Sequence, residues 1–124
     1  MGAKENKVTS EIFINLPPDT IAFRNHVGKV QDKRGQWHTF GLYLGSADLI
    51  GLTEIKITPD MVDKKIAVFT SIEVKTETGK VSKEQRVWGK VVKQRNAFHV
   101  VARSPQDVKD ALEEFIRKLE GKDK

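Results

Sequence analysis

Ile66-Ala67-Val68-Phe69-Thr70-Ser71-Ile72-Glu73-Val74-Lys75-Thr76 runs into Thr78-Gly79-Lys80 and then into Ser82-Lys83-Glu84-Gln85. Ala67, Phe69, Ile72 and Val74 give the first stretch β-prone apolar content, which predicts a strand. Thr78-Gly79-Lys80 predicts a turn. Ser82 and Gln85 have capping-box spacing, so a helix should run from Ser82 to about Gln94. A strand, a turn and a helix in direct succession set the class as α/β.

The same pattern continues on both sides. Ala97 to Ala102 is a short apolar strand, and Ser104-Pro105 opens a last helix. Val108, Leu112, Phe115, Ile116 and Leu119 give that helix one apolar stripe. The Lys-rich end, Gly121 to Lys124, is expected to fray. On the other side, Val8, Ile12 and Leu16 recur at four-residue steps, predicting a helix from Glu5 to Leu16 that Pro17-Pro18 stops. Ile21-Ala22-Phe23 reads as a strand, Lys29 to Gln36 as a loop or hairpin turn, and Ser46-Ala47-Asp48-Leu49 as a loop feeding a buried strand. Pro59-Asp60 opens a further turn. No repeat or long linker divides the 124 residues, so one domain is expected, with a central mixed sheet flanked by helices.

Charged residues make up 31% of the chain and hydrophobic residues 38%, enough for a core. Cysteine is absent. That excludes disulfides, thiolate metal sites and cysteine nucleophiles, and suits a reducing, cytoplasmic setting. No apolar run is long enough to cross a membrane, and the first residues carry no signal-peptide core. There is no P-loop, so no nucleotide cofactor is expected. The net charge of +5 admits a polyanionic partner such as nucleic acid.

Chemistry is concentrated at Glu73 and Lys75. Strand side chains alternate, so these two share a face, and Ile72 and Val74 take the other, where a helix can cover them. Asp48 lies at the mouth of a second apolar strand. If the two strands are neighbours, Asp48 and Glu73 converge, and two close carboxylates call for a hard cation such as Mg²⁺. Taken alone, a Glu-x-Lys pair is more often a weak surface ion pair.

The surrounding residues add to this. Asp48-Leu49-Ile50-Gly51, Ile72-Glu73-Val74-Lys75-Thr76 and Gly79-Lys80-Val81-Ser82-Lys83-Glu84-Gln85 together resemble the VRR-NUC domain, the virus-type replication-repair nuclease of the PD-(D/E)xK superfamily. Arg24-Asn25 with Val27-Gly28, and Val100-Val101-Ala102-Arg103-Ser104, extend the likeness. Ala47 stands where the family has a proline, which is not a ligand. The resemblance implies a PD-(D/E)xK nuclease-like core and divalent-metal-dependent hydrolysis of DNA phosphodiesters. By it Asp48 and Glu73 are metal ligands, with Mg²⁺ as the metal and Mn²⁺ able to substitute. Val74 lends its backbone carbonyl, Lys75 is the catalytic lysine, and Gln85 supports the site. A first-helix glutamate is also implied: Glu5 fits the spacing and Glu11 competes, while Thr9 stands where the family usually has glutamine. The chain is more similar to the dimeric Holliday-junction resolvases than to the multidomain Fanconi-associated nuclease, which implies a homodimer acting on branched DNA.

Lys83, Arg86, Lys90 and Lys93 fall on one arc of the predicted helix, as either phosphate contacts or a solvated basic face. Lys29, Lys33 and Arg34 offer the same choice. Arg24 and Asn25 either bind phosphate or hydrogen-bond nearby loops. His26, His38 and His99 lack metal-ligand spacing, and Trp37 and Trp88 read as packing residues. The rival function is a non-catalytic nucleic-acid-binding module of a phage-like replication or repair system.

Overall fold

The computed structural model describes residues 3–122, with side chains from residue 6 onward. They form two compact units, Met1–Lys56 and Ile57–Lys124.

The first unit opens with helix α1, Ala3–Ile14. It ends two residues earlier than the apolar spacing suggests. The cause lies in Pro17: the residue before a proline is pushed out of helical geometry, so Leu16 cannot close the last turn. Strand β1 (Thr20–Arg24) then pairs antiparallel with β4 (Leu49–Thr53), Arg24 opposite Leu49. Between them, β2 (Gly28–Gln31) and β3 (Trp37–Phe40) form a hairpin. Asp32 holds its turn by accepting from the backbone of Arg34 and Gln36, and its other oxygen lies 2.7 Å from His38 Nε2. Trp37 is 66% exposed on this hairpin, not packed as its size suggests. Leu52 on β4 is buried, as expected for the strand after Asp48.

The second unit begins before a one-turn 3-10 helix, Pro59–Met61. Its core is β5 (Thr70–Val74), α2 (Lys83–Gln94), β6 (Phe98–Ala102) and α3 (Pro105–Leu119). β5 and β6 run parallel, Thr70 opposite Phe98 and Val74 opposite Ala102. The strand is shorter than Ile66–Thr76 because its partner starts late: Phe98 donates to the Phe69 carbonyl at 3.0 Å.

The helix lies on the opposite face of β5 from the one expected. α2 covers the side carrying Ser71 and Glu73, and Ile72 and Val74 stay 45% and 75% exposed. The polar face wins because α2 supplies partners for it. Trp88 Nε1 donates to Ser71 Oγ and Gln85 Nε2 donates to Glu73, so no buried side-chain polar atom among the described residues lacks a partner. On the other face of β6, Phe98 meets Phe115 of α3 edge-to-face at 5.5 Å. Phe98, Ala102 and Val92 form the buried centre of this α-β-α arrangement.

α3 ends in a defined cap. Gly121 takes φ 72° and Lys122 donates to the Arg117 carbonyl, which closes the helix as a Schellman motif. Residues 123 and 124 lie outside the described residues.

Gly89 lets α2 approach the sheet, since a Cβ there would lie 2.6 Å from the His99 ring. Gly89→Ala is expected to destabilise the protein by about 1–3 kcal/mol, read as a lower urea midpoint. The usual helix-favouring gain of Gly→Ala, about 1 kcal/mol, should be outweighed; a raised midpoint would contradict this packing.

Candidate active site

Three of the expected residues meet in the second unit. Glu73 and Lys75 share a side of β5, as alternation requires, with Lys75 Nζ 3.9 Å from Glu73 Oε2. Lys75 lies one residue past the end of β5 but keeps the ladder, donating its N–H to the Ala102 carbonyl at 3.0 Å. Both side chains are only partly exposed, 18% for Lys75 and 26% for Glu73.

Gln85 joins them through the capping box. Its Oε1 accepts the Ser82 N–H at 2.9 Å, and Ser82 Oγ accepts the Gln85 N–H at 3.1 Å. This fixes the amide so that Nε2 donates to Glu73 Oε2 at 2.9 Å. One residue thus starts the helix and orients the carboxylate. Oε2 faces both Gln85 and Lys75, whereas Oε1 has no partner among the described residues.

Beneath this cluster lies a polar chain the sequence did not reveal. Trp88 donates to Ser71 Oγ at 2.8 Å, and Ser71 Oγ lies 2.8 Å from His99 Nδ1. The Ser71 proton is free to reach Nδ1 when the imidazole is neutral with its proton on Nε2. Burial, reinforced by the charge of Lys93, pushes the His99 pKa below its ordinary 6.5, and Glu73 opposes this more weakly. A histidine with a lowered folded pKa resists protonation in the native state. Stability should therefore be intact above about pH 6.5 and fall as pH drops below it toward the folded value. The thermal midpoint measured from pH 8 to pH 5 should show this decline, and His99→Gln should flatten it. The lowered pKa of Asp32, caused first by its bond to His38, acts in the lower carboxylate range and leaves that window to His99.

Asp48, Arg24, Asn25 and the two candidate first-helix glutamates lie in the first unit. Asp48 is exposed, at the entrance to β4, and its carboxylate has no hydrogen-bonded partner among the described residues. It lines a concavity of about 350 Å³ with Thr9, Arg24, Asn25, His26, Val27 and Phe40. Asn25 hydrogen-bonds the nearby loops. Its Nδ2 donates to Ser46 Oγ and the Ala47 carbonyl, its Oδ1 accepts the Leu42 N–H, and its own N–H donates to the Asp48 carbonyl. Asn25 thereby holds the segment that carries Asp48. Arg24 sits over the Phe13 ring, 5.6 Å from its centroid, with Nη2 3.4 Å from Ser10 Oγ. Glu5 lies on α1, but its side chain is outside the described residues; Glu11 is exposed on the same helix.

Lys83, Arg86, Lys90 and Lys93 are all exposed on α2. Arg86 also donates to the Val81 carbonyl at 3.0 Å. Arg86, Lys90 and Lys93 line a cleft of about 570 Å³ with Gln85 and His99.

No three His, Cys, Asp or Glu residues among those described stand close enough to hold a metal by themselves. Oxygen donors of the kind Mg²⁺ takes are present in each unit nonetheless. That ion needs only one or two carboxylates and keeps several waters; Glu73 Oε1 in the second unit and the Asp48 carboxylate in the first have no hydrogen-bonded partner among the described residues.

The residue that sequence reasoning passed over is Arg103. Its Nη1 donates to the carbonyls of Thr76 and Gly79, the latter at 2.8 Å, and lies 3.5 Å from that of Glu77. No local spacing announces bonds to a turn more than 20 positions away.

No described helix is long and apolar enough to cross a membrane. No curated protein and no solved structure matches the chain. The family model of the VRR-NUC domain matches residues 20–106, a stretch that contains Asp48, Glu73, Lys75, Gln85 and Arg103 and begins after Glu5. That match covers more than half of the chain, so the protein belongs to the VRR-NUC family of nucleases, with their PD-(D/E)xK-like α/β fold and DNA as substrate.

Proposed function

We propose that the protein is a divalent-metal-dependent DNA endonuclease that uses Mg²⁺, or Mn²⁺ in its place, and acts as a homodimer on branched DNA such as Holliday junctions. The observation that carries the chemistry is the asymmetric environment of Glu73. Gln85 and Lys75 address one oxygen and leave the other open.

On this reading Asp48 and Glu73 are the carboxylate ligands, Val74 lends its carbonyl, and Glu5 or Glu11 adds a first-helix carboxylate. A divalent ion so held would polarise a phosphoryl oxygen and make a bound water more acidic. The protein's own residues do the rest. Gln85 keeps Glu73 in one orientation. Lys75 brings a positive charge to where negative charge develops on the phosphoryl oxygens. Asn25 fixes the loop that presents Asp48, and Arg24 stands beside it as a candidate phosphate contact. Lys83, Arg86, Lys90 and Lys93 meet the sugar-phosphate backbone and position DNA without reading its sequence. The family match spans residues of both compact units, which favours one nuclease domain.

Labelled linear duplex, flap and four-way junction DNA should be incubated with Mg²⁺, Mn²⁺ or EDTA. Paired nicks in the junction with either metal and none in EDTA are expected, from a protein that runs as a dimer. Cleavage that survives EDTA would overturn the metal reading. A monomer that cuts only flaps or ends would overturn the junction reading. DNA binding with no cleavage of any substrate would favour a binding module.

The basic helix has its own test. Lys90→Glu with Lys93→Glu should weaken binding across all sequences. It should also reduce the slope of log affinity against log salt by about 0.9 for each phosphate no longer neutralised. Unchanged affinity and slope would mean that this face is only solvated.

A further inference from the structure

We infer that Arg103 is a positioning residue for Lys75, acting through the turn that succeeds β5. The inference rests on the nuclease reading for its effect on catalysis. The geometry that carries it stands independently.

Lys75 leads directly into a tight turn, Thr76 to Gly79, closed by the Gly79 N–H donating to the Thr76 carbonyl at 3.2 Å. Such a turn at a strand end leaves carbonyls unpaired and is free to open. Arg103 takes up those carbonyls. One guanidinium nitrogen, Nη1, donates to the Thr76 and Gly79 carbonyls and lies 3.5 Å from that of Glu77, so the two ends of the turn meet at one donor.

Arg103 is itself fixed. It adjoins Ala102, whose carbonyl accepts from the Lys75 N–H, so the two chain segments are already tied at this level. Its own N–H donates to Asp107 Oδ2 at 2.8 Å, in the first turn of α3, where Ser104 caps the helix. The latched turn runs beside the Lys75 stem: Gly79 is near enough that a Cβ built on it would lie 3.6 Å from Lys75 Cδ. A turn held at that distance bounds the space beside the stem, and the ammonium lies on the Glu73 Oε2 side, 3.9 Å away. Among the described residues of its unit, the hydrogen bonds of Arg103 go to Thr76, Glu77, Gly79 and Asp107 and not to Glu73, so it acts through Lys75 and the turn.

The test uses Arg103→Ala and Arg103→Lys in the full chain, with two readouts. Amide hydrogen exchange at residues 76–80 should accelerate at least about 10-fold in Arg103→Ala, while β5 and α2 stay protected. Single-turnover cleavage of duplex or junction DNA should slow by on the order of 10- to 100-fold with KM within about twofold. A lysine ammonium ends one bond short of the position of Nη1, so Arg103→Lys should recover only part of each. Unchanged exchange in the turn would overturn the latch. A loss confined to KM would overturn the positioning role and make Arg103 a substrate contact. If Arg103→Ala does not fold, Arg103→Lys decides alone: wild-type cleavage with wild-type exchange overturns the inference. Wild-type protein that fails to cleave DNA refutes the nuclease reading, while the exchange arm still judges the latch.

Discussion

Lys75→Ala is expected to slow DNA cleavage by on the order of 10²- to 10³-fold, the usual loss when a group that stabilises developing charge is removed. Stability should change by no more than about 1 kcal/mol. The 3.9 Å separation from Glu73 Oε2 is too long for a hydrogen bond, and ion pairs with solvent access contribute little. The two expectations separate chemistry from folding. A lysine that only held Glu73 in place would act through stability or binding, and Gln85, at 2.9 Å, already holds it better. The comparison is single-turnover cleavage beside a urea melt of each protein. A cleavage rate within about threefold of wild type would remove Lys75 from the mechanism.

The largest structural loss is expected at Phe98→Ala, about 3–5 kcal/mol. Phe98 is 3% exposed, sits against Phe115 and opens the strand that fixes the register of β5. Small domains have only about 5–15 kcal/mol in total, so this variant should be largely unfolded at elevated temperature. The urea midpoint should fall with little change in slope. Ile72→Ala, on the exposed face of β5, should cost far less. Equal losses for the two would mean that Ile72 is as buried as Phe98.

The sequence made some of this legible and hid the rest for physical reasons. Alternation puts Glu73 and Lys75 on one face whatever surrounds them, and the structure keeps them there. Alternation does not say which face a helix will cover. That choice depended on whether α2 carried donors for Ser71 and Glu73, and Trp88 and Gln85 supply them. The capping box marked Gln85 and the start of α2 because both bonds are local. Strand length was not local: Ile66 to Val68 have β-prone composition, but β6 begins only at Phe98, opposite Thr70. Asn25, His99 and Arg103 depend on partners 17 to 28 positions away in the chain. Spacing alone could nominate such residues only through a family likeness, which named Asn25 but gave Arg103 no role.

A crystal grown or soaked with Mn²⁺ and read by anomalous scattering tests the central claim most directly. The expected result is an anomalous peak within about 2.0–2.4 Å of carboxylate oxygens of both Asp48 and Glu73, lost in Glu73→Gln. A peak bound elsewhere, or the same peak in Glu73→Gln, would contradict it.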